Sequence, residues 1–239
     1  MLKNNKISES VSRAIVTQVT DAELPSGAVL ESEAEMMERY SVSRGSLREA
    51  LRILEVLGFI YMKPGPKGGP ILLSPDSRQF SAMAALFYQR IGAQYSDLLE
   101  MRLVMEPEAA ALAAERRSDD QVKILQDYLV RSEQANLDDD RQFRAVGQGF
   151  HDIIADMAGN HILSLVIHSC YDLFAGKSTG FLYPHDERKC VGEIHDAIAH
   201  AVIDGDAELA RKLMREHMRD YLLQAQERFP DMMNEAVRW

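Results

Sequence analysis

The segment from residue 41 to residue 54, SVSRGSLREALRIL, constrains the fold more than any other part of the chain. Arg44, Arg48 and Arg52 recur every fourth residue, which places them on one face of a helix. Leu47 and Leu51 recur on another face. Guanidinium groups bind phosphates and the guanine edge in the major groove. The spacing indicates a DNA-binding helix, although an ordinary surface helix with solvated arginines has the same pattern.

Two flanking patterns favour the DNA-binding interpretation. Ser32 and Glu35 have the spacing of a capping box for a short helix over residues 33–40, and Ser43 can cap the next helix. The β-prone residues 59–62 and the apolar run 71–73 flank a turn rich in glycine, proline and lysine, which predicts a hairpin with a basic tip. Two helices followed by such a hairpin form a winged helix-turn-helix.

The string VSRGSLREALRILEVLGFI resembles the DNA-binding segment of the GntR family of bacterial transcription regulators. The resemblance covers about residues 8–75. Ala34 stands where many members carry a DNA-contacting arginine, whereas Arg44 and Arg48 match contact positions of the family. The predicted DNA-binding residues are Ser43, Arg44, Ser46, Arg48, Arg52, Lys63, Lys67, Gly68 and Gly69.

The charge distribution agrees with DNA binding by one end of the chain. The 239 residues carry a net charge of −10, yet basic residues outnumber acidic ones between residues 39 and 67. A local basic patch attracts phosphates, while an acidic remainder discourages non-specific binding. We therefore expect one domain to bind DNA weakly and a homodimer to bind an inverted-repeat operator in double-stranded DNA.

The N-terminus lacks the apolar core of a secretion signal, and no apolar run approaches the ~18 residues of a membrane span. Cys170 and Cys190 form neither a disulfide framework nor a CxxC motif. The sequence therefore predicts a cytoplasmic protein with reduced cysteines and no membrane partner.

Beyond Pro75 the apolar pattern is helical throughout, and about seven helices are expected. Pro107 should kink or restart the second of them, residues 176–186 should form a loop, and the next helix should begin near residue 188. The predicted fold is mostly α. Residues 1–75 form a winged helix-turn-helix domain, and residues 76–239 form an all-α antiparallel bundle that binds an effector and dimerises.

Three histidines, His151, His195 and His217, lie on predicted helices with apolar stripes. Imidazoles from neighbouring helices can converge and bind a divalent metal, or each can be a separately satisfied polar residue. Arg102 can hold a carboxylate through its bidentate fork, or pair at the surface with Glu106 one helical turn away.

Residues 78–226 resemble the FCD effector domain of the FadR-type GntR subfamily. The resemblance implies a small organic acid as effector, a carboxylate contact for Arg102, and zinc, nickel or manganese on the three histidines. Many such domains add an aspartate one turn before the first histidine, where this chain has Gly147. A metal that takes the effector carboxylate directly, a metal-free pocket and residual histidines are the three interpretations. The predicted effector-binding residues are Arg102, Gln148, Tyr171 and Lys177.

These features together predict a non-enzymatic transcription regulator, a repressor that a small acidic metabolite releases from its operator. Two alternatives remain. The first is a metal-dependent hydrolase on the three histidines, for which no HExxH or nucleophile-elbow motif is present. The second is a DNA-binding dimer that responds to no ligand.

Overall fold

The computed structural model describes residues 2–65, 68–74, 76–175 and 183–238, and these residues are mostly helical, as predicted. The chain divides into two compact units, Met1–Gln79 and Phe80–Trp239. The domain boundary predicted after residue 75 falls shortly before this division. None of the described helices has the length and apolar character needed to cross a membrane.

The N-terminal unit combines helices with one hairpin. Its described elements are α1 (Leu2–Asp21), α2 (Glu33–Tyr40), α3 (Arg44–Val56), β1 (Ile60–Lys63) and β2 (Gly69–Leu72). α2 begins with the predicted capping box, in which the Glu35 N–H donates to Ser32 Oγ at 3.3 Å and the Ser32 N–H donates to the Glu35 carboxylate at 2.8 Å. β1 and β2 pair antiparallel, with Ile60 opposite Leu72. The predicted hairpin is therefore confirmed.

One apolar core holds these elements together. α1 was not predicted from the sequence, yet it supplies Val11, Ile15 and Val19, each one helical turn after the last. α3 supplies Leu51 and Leu54 from its buried face, whereas its arginines are exposed. Apolar residues that recur every fourth position, as in α3, are thus also present in α1, and this spacing predicts a helix over residues 2–21.

The chain after residue 75 folds into an all-α bundle. Its described helices are α4 (Ser77–Ile91), α5 (Tyr95–Arg116), α6 (Asp119–Gln134), α7 (Asp140–Met157), α8 (His161–Ala175), α9 (His185–Asp204), α10 (Ala207–Arg228) and α11 (Pro230–Met233). α5 packs along α10 and also contacts α7, α8 and α9, so it lies at the centre of the bundle. The chain end returns to the start of α5, where the Val237 N–H donates to the Ala93 carbonyl at 2.8 Å.

Some helix limits differ from those predicted. α5 continues through the buried Pro107 without restarting, because packing on its neighbours outweighs the one backbone hydrogen bond that proline removes. α9 begins at His185 and not near residue 188, since Pro184 precedes it and two acidic residues in its first turn stabilise a helix N-terminus. α11 follows the last predicted helix. Residues 176–182 of the predicted loop lie outside the described residues.

We predict that Leu54→Ala strongly destabilises the N-terminal unit. Leu54 is 2% exposed, and truncation of a buried leucine removes apolar contacts and leaves a cavity. The expected loss in the free energy of unfolding is about 2–5 kcal/mol, measured by urea denaturation.

Leu57→Ala is the matched control, because Leu57 follows the same helix but is 49% exposed. Its expected loss stays within about 1 kcal/mol. Equal losses in the two variants would show that α3 does not face the core through Leu54.

Candidate functional site

The N-terminal unit presents an arginine face on α3. Ser43 caps this helix by accepting the Ser46 N–H at 3.2 Å, which fixes where the helix begins. Arg44, Arg48 and Arg52 are exposed, whereas the leucines of the same helix are buried. Cations repeated at each helical turn can contact both phosphates and base edges of a groove.

Ser46 does not lie on this face, although a DNA contact was predicted for it. Its side chain is 5% exposed, and its Oγ lies 3.0 Å from Ser43 Oγ. The hydroxyl therefore belongs to the helix cap, and the proposed DNA contacts of α3 are its exposed arginines.

The predicted wing residues lie at the turn between β1 and β2. Lys63 ends β1 and is exposed, and Gly68 and Gly69 are half-buried where β2 begins. The Gly68 N–H donates to the Gly65 carbonyl at 2.9 Å, which closes the turn. Lys67 lies outside the described residues.

In the C-terminal unit, three helices bring the predicted histidines together. His151 on α7, His195 on α9 and His217 on α10 are all buried. The Nε2 atom of His217 lies 3.1 Å from that of His195 and 3.4 Å from that of His151. These histidines form one cluster and are not separate polar residues of the core.

A carboxylate behind the cluster, that of Glu106 on α5, holds its first histidine in place. One oxygen of Glu106 contacts His151 Nδ1, and the other accepts from Arg102 Nε at 2.5 Å. His151 Nδ1 therefore carries a proton, and its Nε2 lone pair is directed toward the cluster. From the sequence, Glu106 was expected only as a surface partner of Arg102. The structure shows the same pairing in the interior, with both side chains at most 3% exposed.

The electrostatics of this cluster favour neutral His195 and His217 beside the ion pair of Arg102 and Glu106. Burial, followed by the neighbouring imidazoles, lowers the pKa of His195 well below its usual value and that of His217 to about 3. Burial alone raises a carboxylate pKa, but Arg102 and His151 together hold the pKa of Glu106 at about 2. The lone pairs of His195 and His217 are thus available at neutral pH, and Glu106 is ionised.

A cavity of about 60 Å³ opens beside the cluster. Arg102 borders it, with its guanidinium 4.1 Å from the centre of the Tyr171 ring and in contact with the Tyr171 hydroxyl. The predicted residues Arg102, Gln148 and Tyr171 are therefore brought to one place. The other lining residues are Phe143, Arg144, Gly147, His151, Tyr183, Val191, His195, His217 and Tyr221.

Two residues of α7 shape the cavity next to His151. The Gln148 amide nitrogen donates to Asp152 Oδ1 at 2.8 Å. A Cβ atom at Gly147 would lie 4.0 Å from His195 Cε1, so this glycine leaves room beside the cluster that a side chain could fill. Lys177, the remaining predicted effector residue, lies outside the described residues.

The three imidazoles fit a divalent metal ion. Ligands around a tetrahedral zinc, at roughly 2.0–2.1 Å from the metal, lie about 3.3 Å from one another. The Nε2 separations of 3.1 and 3.4 Å match this spacing. Neutral imidazoles and a carboxylate that orients one of them are also what a metal site requires.

Comparison with known proteins identifies both units. A model of bacterial regulatory proteins of the gntR family matches residues 7–66, and a model of the FCD domain matches residues 97–220, which is about half of the chain. The chain belongs to the gntR family of bacterial regulatory proteins.

Relatives and a solved structure agree with this membership. The HTH-type transcriptional repressors NanR of Klebsiella aerogenes and Citrobacter rodentium are 28% and 29% identical to this GntR-family chain. Each alignment covers 91% of this chain, and 85% and 84% of the respective relatives. The structure of Streptococcus agalactiae GntR superimposes with a TM-score of 0.69 at 24% identity, over 90% of this chain and 99% of that one, and supports the fold.

The buried histidines predict that acid destabilises the C-terminal unit of this GntR-family protein. An unfolded histidine has a pKa of about 6.5, whereas the pKa of folded His217 is about 3. As the pH falls below about 6.5, the unfolded state takes up a proton that the folded state does not. The contribution of His217 to the free energy of unfolding therefore falls by about 2 kcal/mol between pH 7 and pH 5. Urea denaturation of chelator-treated protein measures this loss.

The variant His217→Asn should show a correspondingly weaker pH dependence. His200→Asn is the control, because His200 lies on α9 but is exposed. Glu106 changes the free energy of unfolding mainly below pH 5, because its folded pKa of about 2 and its unfolded pKa both lie below that pH. Identical pH profiles for wild type and His217→Asn would contradict the prediction.

Proposed function

We propose that this protein is a homodimeric transcriptional repressor that a small acidic metabolite releases from an inverted-repeat operator. One observation carries the proposal. The chain combines an exposed arginine face on a capped helix with a separate cavity that is lined by a buried guanidinium and three buried histidines. The repressors named among its relatives support repression as the direction of control.

Arg44, Arg48 and Arg52 are the proposed contacts of α3 with the operator, and Lys63 is the proposed wing contact. The overall charge of −10 repels DNA outside this patch, so one unit has little affinity of its own. Two copies on two half-sites supply the missing affinity and require an inverted repeat. This function locates the protein with the DNA, in the cytoplasm.

The cavity supports a small carboxylate as the effector. Arg102 is already paired with Glu106, but its planar group borders the cavity and offers further N–H donors to an acid. His151, His195 and His217 are the proposed ligands of a divalent ion such as zinc, nickel or manganese. Such an ion would supply positive charge and a coordination position for a carboxylate oxygen.

The proposed release is a shift between two arrangements of the dimer. An effector changes DNA binding only if it binds one arrangement more tightly than the other. This cavity suits the task, because its lining side chains come from five helices, α5, α7, α8, α9 and α10. Small adjustments of these helices around the acid then change which arrangement is favoured.

A regulatory role fits the cavity better than hydrolysis does. A hydrolase would need a general base near the histidines, and Glu106 is already engaged with both Arg102 and His151. A dimer that responds to no ligand would not need a cavity beside the Arg102–Glu106 pair, where the guanidinium still has N–H donors to offer.

We predict that Arg48→Ala lowers operator affinity at least about 30-fold, because it removes a groove contact worth roughly 1–3 kcal/mol in each half of the dimer. The operator is obtained by selection from random duplexes, and affinity is measured by fluorescence anisotropy. Arg13→Ala is the control, since Arg13 is an exposed arginine of α1. Retention of full affinity by Arg48→Ala would remove α3 from the proposed interface.

The histidine cluster predicts about one divalent ion per chain in untagged protein, measured by mass spectrometry before and after chelation. His217→Asn should lose the ion, because only two imidazoles remain, while His200→Asn keeps it. If wild-type protein remains metal-free after reloading, the histidines serve instead as hydrogen-bonding groups for the acid.

A further inference from the structure

One wall of the cavity contains the side-chain amide of Gln148, and its orientation is set by Asp152, which does not line the cavity. Gln148 lines the cavity, and its Nε2 donates to Asp152 Oδ1 at 2.8 Å, one turn further along α7. An ionised carboxylate only accepts hydrogen bonds. The nitrogen end of the amide must therefore face Asp152, which leaves the carbonyl oxygen as the end that serves the cavity.

Asp152 is itself held from the neighbouring helix. His168 on α8 places Nδ1 3.3 Å from Asp152 Oδ1 and Nε2 3.1 Å from Asp156 Oδ1. The Ser164 hydroxyl donates to the same Asp156 oxygen at 2.6 Å. Both ring nitrogens of His168 thus point at carboxylates, so the position of Asp152, and through it that of Gln148, is fixed by contacts between α7 and α8.

The cavity therefore combines donors for an acid with a fixed acceptor. Arg102 supplies N–H donors, and Gln148, which lines the cavity from α7 with its nitrogen engaged by Asp152, has its carbonyl oxygen left to accept from a ligand. A ligand that satisfies both needs a carboxylate and, close to it, a hydrogen-bond donor of its own. A hydroxyl suits this place better than an ammonium group, because the described lining residues of the cavity include two arginines, Arg102 and Arg144, and no carboxylate.

We propose that Asp152 determines the effector class: by orienting Gln148, it makes the cavity select 2-hydroxy acids over 2-oxo acids. The inference rests on the acidic effector proposed above. Asp152 acts here as a positioning residue that does not touch the ligand. A 2-oxo acid places a carbonyl oxygen against the Gln148 carbonyl, where two acceptors face each other and neither is satisfied.

Lactate and pyruvate are the probes, because they match in size and charge and both chelate a metal through two oxygens. The titrations use chelator-treated protein, because a hydroxyl oxygen and a ketone oxygen bind a metal with different strengths. Wild-type protein should bind lactate at least about tenfold more tightly than pyruvate in isothermal titration, which is the effect of one hydrogen bond made and one acceptor clash avoided.

Asp152→Asn should reduce this ratio to within about twofold. The new amide can donate as well as accept, so it no longer forces the Gln148 nitrogen outward, and the Gln148 amide can turn to suit either probe. Gln148→Met is a second variant that removes the acceptor at similar length, and it should lose the preference as well. A ratio that stays near the wild-type value in either variant overturns the inference.

Asp156→Asn is the matched control. Asp156 shares His168 with Asp152, but it lies two turns along α7 from Gln148. This variant should keep the wild-type ratio, because the amide oxygen of asparagine still accepts from His168 and Ser164 and so leaves the contacts of Asp152 in place. If it lowers the ratio as much as Asp152→Asn does, the effect comes from the packing of α7 on α8 and the inference is overturned.

The two proposals fail in distinguishable ways. If wild-type protein binds neither lactate nor pyruvate, the small-acid effector is overturned, and the selection by Asp152 with it. If it binds both equally, the acidic effector stands and only the selection is overturned.

Discussion

The buried carboxylate of Glu106 is the interaction on which the C-terminal unit depends. A charge removed from water needs partners, and Glu106 has two, Arg102 on its own helix and His151 on α7. Each pairing has a consequence for the cavity. Arg102 is held in its charged form beside the cavity, and the His151 ring is oriented so that its Nε2 atom faces the other histidines. Removing the carboxylate would leave a guanidinium without its counter-ion and a histidine without its orientation.

Much of the fold was predictable because its signals are local. The capping box of Ser32 and Glu35, the cap at Ser43 and the glycine-rich turn each lie within a few residues of the structure that they specify. α5 shows the limit of such signals. Pro107 predicts an interruption by its own chemistry, and only the contacts of α5 with four neighbouring helices explain why the helix continues.

The site was predictable only as a set of candidates. The histidines lie on three helices, and spacing along the chain cannot tell whether imidazoles so far apart in sequence converge. Ser46 shows that neighbours in sequence can also point in different directions. It lies between two exposed arginines, but its own hydroxyl is buried against the Ser43 cap. The interior pairing of Glu106 and the orientation of Gln148 were missed because both depend on partners that only tertiary structure supplies.

Each unit closes an apolar core of its own, one built on α1 and α3 and the other around α5 and α10. A substitution that repacks one core therefore leaves the other intact. Lineages that inherit such a chain can change the residues around the cavity while the arginines of α3 stay constant, or do the reverse. Over evolutionary time, the chemical signal that is sensed and the genes that respond to it can drift independently, and gene fusion can join an existing sensor to a new target.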